Sequence, residues 1–145
     1  MKFTSTLIKG KLIKRYKRFF VDIKVNKKLI GVNTHRANRI VEHALKNKLI
    51  KELQLVKNIT PEFKYSKDTR FDFLCDKNII EVKNVTLLRN KDLAEFPDAI
   101  TTRGSKHLVN LINSIEKNYK PYVLFLTQIQ GISNFRIARD IDDNY

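Results

Sequence analysis

The chain has 145 residues, 42% of them hydrophobic and 30% charged, a composition that suits one folded domain with a small appendage and excludes wholesale disorder. Its 29 Lys and Arg against 15 Asp and Glu leave a formal net charge of +14, a field that draws polyanions and makes nucleic acid the first partner to consider. A Lys-, Asn- and Ile-rich composition also follows from an AT-rich genome, so charge alone leaves both readings open. One cysteine, Cys75, rules out an intrachain disulfide and a cysteine zinc cluster, and fits a small packing residue in a reducing cytoplasm. No apolar run approaches the roughly 18 residues of a membrane span, and the first residues lack the apolar core of a signal peptide.

Residues 3–28, FTSTLIKGKLIKRYKRFFVDIKVNKK, thread Lys14, Arg15, Lys17 and Arg18 among Tyr16, Phe19 and Phe20. Phe19, Val21, Ile23 and Val25 alternate with polar residues, the period of a strand with one buried face. Basic and aromatic residues on strands fit a platform for bases and phosphates, and equally an edge guarded by lysines. The following segment starts as a short strand at Leu29 and turns helical near Asn38, with Ile40, Val41, Ala44, Leu45 and Leu49 in helical register. Glu42 falls at the border of that apolar sector, where a carboxylate is either solvated or able to reach across an adjoining sheet.

Thr60-Pro61 reads as a turn, followed by a short strand around Phe63 and Tyr65. The stretch RFDFLCDKNIIEVKN, residues 70–84, then reads as a hairpin: Arg70 to Cys75, a turn at Asp76-Lys77-Asn78, and a second arm from Ile79 to Leu88. Alternation is imperfect around Asp72. Glu81 and Lys83 lie on one face of the second arm and Ile80 and Val82 on the other. That spacing fits a surface ion pair and an active site alike. LRNKDLAEFPDAITTRG reads as a polar loop, and a helix begins between Thr102 and Ser105 with Leu108, Val109, Leu111, Ile112 and Ile115 on its inner face. PYVLFLTQI, residues 121–129, is a continuous apolar run, the pattern of a strand buried on both faces. The order β, α, β, β, β, α, β specifies an α/β fold, a mixed central sheet flanked by helices.

Asp72 on a strand adjacent to Glu81 supplies two hard oxygen ligands of the kind magnesium takes, manganese being a close substitute. Lys83 then stands beside the cation, where an ammonium can orient a water or meet charge developing on phosphorus. This D-x8-E-x-K pattern resembles the PD-(D/E)XK phosphodiesterases, a signal that is weak by itself. LIKRYKRFFVDI, GVNTHRANRIVEHAL, FDFLCDKNIIEVKNVTL and FPDAITTRGSKHLVNLI together resemble the sugar fermentation stimulation protein A (SfsA) family far more specifically, over most of the chain.

That resemblance implies a DNA-binding protein involved in regulating sugar (maltose) use, with residues 31–145 as a restriction-endonuclease-like PD-(D/E)XK domain and residues 1–30 as part of an OB-like β domain. It implies metal positions at Asp72 and Glu81, catalytic positions at Asp72, Glu81, Lys83 and Glu42, and DNA contacts from Arg103, Lys106 and His107 as well as from Lys14, Arg15, Lys17 and Arg18. The family pattern is longer between Lys28 and Leu29, and an OB barrel needs about five strands where the residues before Leu29 supply only a few. The competing expectations are a non-catalytic, sequence-nonspecific DNA-binding regulator and a degenerate remnant of the family. The pattern does not specify an oligomeric state and is compatible with a homodimer.

Overall fold

The computed structural model describes residues 9–16, 20–25, 27–31 and 34–145. Three antiparallel strands open the chain, β1 (Lys11–Tyr16), β2 (Phe20–Val25) and β3 (Lys28–Gly31), in the order β1-β2-β3. Lys17, Arg18 and Phe19 lie outside the described residues. The small sheet joins the rest of the chain through β3: Gly31 N donates to Gln128 O at 3.0 Å and Gln130 N to Leu29 O at 3.0 Å.

Helix α1 spans Thr34–Lys46 and starts a turn earlier than its apolar residues suggest, because the buried stripe begins at Ala37 and continues through Val41 and Leu45. Ile40 and Leu49, expected on that stripe, are exposed. The central sheet has the order β4-β5-β6-β9, built from β4 (Ile59–Lys64), β5 (Arg70–Cys75), β6 (Asn78–Val85) and β9 (Lys120–Thr127). Its first two pairings are antiparallel and β6 with β9 is parallel. Thr60 and Pro61 are therefore strand residues and not a turn. Proline lacks the ladder donor, and β4 is an edge strand, where that loss is tolerated.

The segment expected to be a polar loop forms β7 (Leu87–Asn90) and β8 (Leu93–Phe96), which with β10 (Asn134–Ile137) make a third sheet, β10-β8-β7. Helix α2 spans Thr102–Asn113, its N-terminus capped by Thr101, whose hydroxyl accepts from Gly104 N at 3.0 Å.

The two helices cover opposite faces of the central sheet, as expected. Ala37, Val41 and Leu45 of α1 pack with Phe73, Cys75, Ile80 and Val82, while Leu111 of α2 packs with Phe71 and Ile79. Cys75 is a packing residue, fully buried, with its thiol pushed up to about 11 by burial and then by the charge of Asp76. Val109, Ile112 and Ile115 lie outside the α2 interface, 54%, 64% and 56% exposed. The stripe that meets the sheet is Gly104, His107 and Leu111, and a count of apolar residues cannot find a stripe centred on a histidine. β9 is half-buried along its length, not buried on both faces. The buried strand is β6, with Ile79, Ile80, Glu81, Val82 and Val85 all enclosed. Among the described residues no helix is long and apolar enough to cross a membrane.

Candidate active site and its cationic cleft

The site begins where two strands part. Pairing of β5 with β6 runs from Cys75 opposite Asn78 to Phe73 opposite Ile80 and goes no further. One residue beyond, Asp72 reaches across with its side chain, and its Oδ2 accepts from Val82 N at 2.7 Å. A carboxylate thus replaces a backbone carbonyl in the ladder. The chain also changes face here: Phe73 belongs to the α1 core and Phe71 to the α2 core. The opposing edge strand is distorted at the same level, with Glu62 at φ 53 between the pairs Pro61–Phe73 and Phe63–Phe71. A left-handed glutamate inside a strand is a strained conformation of the kind held at functional sites.

Asn38 on α1 donates to the other Asp72 oxygen at 2.7 Å. Burial, followed by the charge of Glu81, raises the Asp72 pKa against the lowering effect of those two hydrogen bonds. Glu81 and Lys83 project to the α2 side of the sheet. Lys83 Nζ donates to Glu81 Oε1 at 2.8 Å, and His107 Nδ1 lies 2.7 Å from the same oxygen. The side chains of Lys83 and Glu81 are only 12% and 7% exposed, so this is not a surface ion pair. Buried pairs of this kind lose much of their Coulomb gain to desolvation, and stability alone is a poor account of them. Phe71 backs the His107 ring edge-on, with centroids 5.9 Å apart.

The Tyr145 ring packs on Phe96 at 5.1 Å and its hydroxyl is buried without a hydrogen-bond partner. Burial and then Glu81 push that phenol up to about 12. Neither Asn38 nor Tyr145 stood out in the sequence. Asn38 is one helical turn before Glu42, and that spacing is the only signal that could have found it. Glu42 itself pairs within α1, its Oε1 accepting from Lys46 Nζ at 2.6 Å.

Arg103 and Lys106 occupy the first turns of α2 and are exposed. They line a cavity of about 590 Å³ together with His107 and with Lys64, Lys67 and Arg70 of the β4–β5 hairpin. His107 is only 8% exposed, so of the RGSKH segment it is the member turned inward to Glu81. Lys14 and Arg15 stand on β1, in the separate three-stranded sheet, opposite Asp22 and Val21. Asp72, half-buried, and Glu81, buried, are two hard carboxylates near enough for their charges to interact, a donor set that suits magnesium when waters and a phosphate complete the shell. Among the described residues no group of three or more His, Cys, Asp and Glu is arranged to hold a metal ion.

Fold and site together define an α/β protein in which two carboxylates and a lysine of a central hairpin meet a histidine of α2 where the hairpin strands diverge. Residues 35–145 match the family model described as "Sugar fermentation stimulation protein RE domain", and the chain belongs to the SfsA family. It is 46% identical to the sugar fermentation stimulation protein homolog of Pelagibacter ubique (strain HTCC1062), over all of this chain and 84% of that one. It is 32% identical to the homolog of Bartonella quintana (strain Toulouse), again over all of this chain and 84% of that one. At least 50 positions of the Pelagibacter relative have no counterpart in this chain. In fold the chain is similar to the structure of Pyrococcus furiosus SfsA in complex with Ca2+, with a TM-score of 0.72 at 18% identity, over 97% of this chain and 81% of that one.

Proposed function

We propose that this chain is a DNA-binding protein whose residues 31–145 form a PD-(D/E)XK nuclease-like domain, binding a divalent cation between Asp72 and Glu81 and hydrolysing phosphodiester bonds. The observation that carries this reading is the half-buried Asp72 with the enclosed Glu81–Lys83 pair at the strand fork, beside a cationic cavity. Raised by its own burial and by Glu81, Asp72 is a carboxylate whose ionised form a cation would favour. The structure of the Pyrococcus furiosus relative with Ca2+ supports an oxygen-ligand cation, here magnesium or manganese. A magnesium ion bound there would polarise a phosphodiester and make an attacking water more acidic.

The chain's own groups have defined parts in this scheme. Asn38 and Val82 N orient Asp72, while His107 and Lys83 orient Glu81 from the α2 side. The Lys83 ammonium would stand where negative charge grows on the phosphoryl oxygens. Glu42, one turn beyond Asn38, is the outer acid. The relatives' printed name, sugar fermentation stimulation protein homolog, supports a role in sugar use, and control of sugar (maltose) utilisation genes is the form that DNA binding would give that role.

One observation favours a second reading, a DNA-binding regulator without catalysis. Glu81 Oε1 is already engaged by both Lys83 and His107, so its charge has partners among the chain's own side chains. Cleavage of a labelled DNA duplex with magnesium and then manganese separates the two. Under the catalytic reading Glu81→Ala and Lys83→Ala each lower the rate by a factor of about 100 or more, with circular dichroism unchanged. Binding that resists chelator, with no cleavage of any DNA or RNA substrate, leaves the regulator.

A further inference from the structure

The β4–β5 hairpin places Lys64, Lys67 and Arg70 on one side of the 590 Å³ cavity that Arg103, Lys106 and His107 also line. The cavity has five cations against a single carboxylate, Asp68, with Ser66, Thr69 and Thr102 between them. The arrangement is costly in isolation. Lys64 and Arg70 sit directly opposite each other in the β4–β5 ladder, where like charges repel, and the Glu62 carboxylate relieves only Arg70, at 3.7 Å on the surface. The hairpin is nonetheless firmly held against α2. Tyr65 N and Ser66 N both donate to Thr69 O, at 3.0 and 3.1 Å, and Asn110 Nδ2 of α2 donates to Thr69 Oγ1 at 2.8 Å. The cations are therefore displayed from a fixed turn whose distance from Arg103 and Lys106 is set by that tie.

We infer that Lys64, Lys67 and Arg70 form the second wall of a backbone-binding cleft, gripping the phosphates of a DNA strand between the β4–β5 hairpin and the start of α2, next to His107 and Glu81. The inference rests on the proposed DNA-binding function and locates that function: the phosphate track is in the central domain and is two-walled. Several cations around an open cleft match a run of phosphates, and each lysine that neutralises a phosphate adds about one unit to the salt slope.

The test is fluorescence anisotropy of a labelled DNA duplex with the full chain across a salt series. Lys64→Ala/Lys67→Ala is compared with Lys77→Ala/Lys120→Ala, which removes the same charge from exposed positions at the other end of β5 and β6. Both pairs are exposed, and unchanged thermal unfolding verifies their fold. The cleft pair is expected to weaken binding at least tenfold at about 100 mM salt and to lower the slope of log K against log salt by about 2, while the control pair changes affinity less than threefold. Equal effects of the two pairs, or none from the cleft pair, overturn the cleft while leaving DNA binding in place. Absence of binding by the unmodified chain overturns the DNA-binding function and the cleft together.

Discussion

At Gly104 a Cβ would lie 2.8 Å from both Thr101 Cγ2 and Thr101 Oγ1 and 2.9 Å from Tyr145 Cε2. Alanine there improves helix propensity by about 1 kcal/mol, but forcing apart the capping threonine and the tyrosine costs about 1–3 kcal/mol. Packing wins, because the Thr101 hydroxyl is fixed by its bond to Gly104 N. Gly104→Ala is expected to lower the midpoint of thermal unfolding, and adding Tyr145→Ala to recover part of the loss; a rise in midpoint for the single variant contradicts this packing. The glycine of the RGSKH segment thus lets the capping Thr101 and the Tyr145 ring close over the start of α2. Conversely, sequence pattern could show the charged pair Glu81 and Lys83 but not their burial, since that depends on a histidine 26 positions away in the chain.

At the scale of elements, the hairpin β5–β6 was legible because alternation and the turn residues Asp76-Lys77-Asn78 are local signals, and its irregularity at Asp72 proved to be a real change of face. The segment containing β7 and β8 was not, because its charged residues satisfy one another across strands. Glu95 of β8 is fully buried, yet accepts from Arg89 Nε at 2.8 Å and Nη2 at 2.6 Å, and from Arg136 Nε of β10 at 2.8 Å. Arg89 also pairs with Asp140. Hydrogen bonds from Arg89 and then Arg136 pull the Glu95 pKa from an ordinary 4.5 down to about 2. A depressed carboxylate contributes stability that is present above about pH 4.5 and is lost as the pH falls toward 2. Glu95→Gln is expected to cost about 1–3 kcal/mol at pH 7 and to flatten the pH dependence of unfolding between those limits. An acid-unfolding profile parallel to that of the unaltered chain would show that the third sheet is held otherwise.

Over the whole molecule, the mixed sheet with a helix on each face followed from the order of periodic segments, because each helix buries one stripe and each strand has a helix to meet. What pattern could not supply was convergence. The net charge of +14 has no location in a sequence, and the hairpin cations Lys64, Lys67 and Arg70 are more than thirty positions from Arg103 and Lys106 in the chain yet share one cavity with them. The Asn110–Thr69 bond and the packing of Leu111 against Phe71 and Ile79 bring these distant stretches together. The cavity is therefore a product of α2 docked on the sheet, and variants that loosen that docking should lose it as a unit.

The fork between β5 and β6 also supplies a built-in reporter. Val82 N–H points at a side chain where a ladder would offer a main-chain carbonyl, so its exchange with solvent deuterium depends on Asp72, while the amides around it depend on the sheet. In Asp72→Ala that one proton should exchange faster by tenfold or more, with protection retained at Ile80, and Asp72→Asn, which keeps an acceptor oxygen, should preserve most of it. Uniform loss across β6 would mean that the carboxylate holds the whole strand in place and not a single amide.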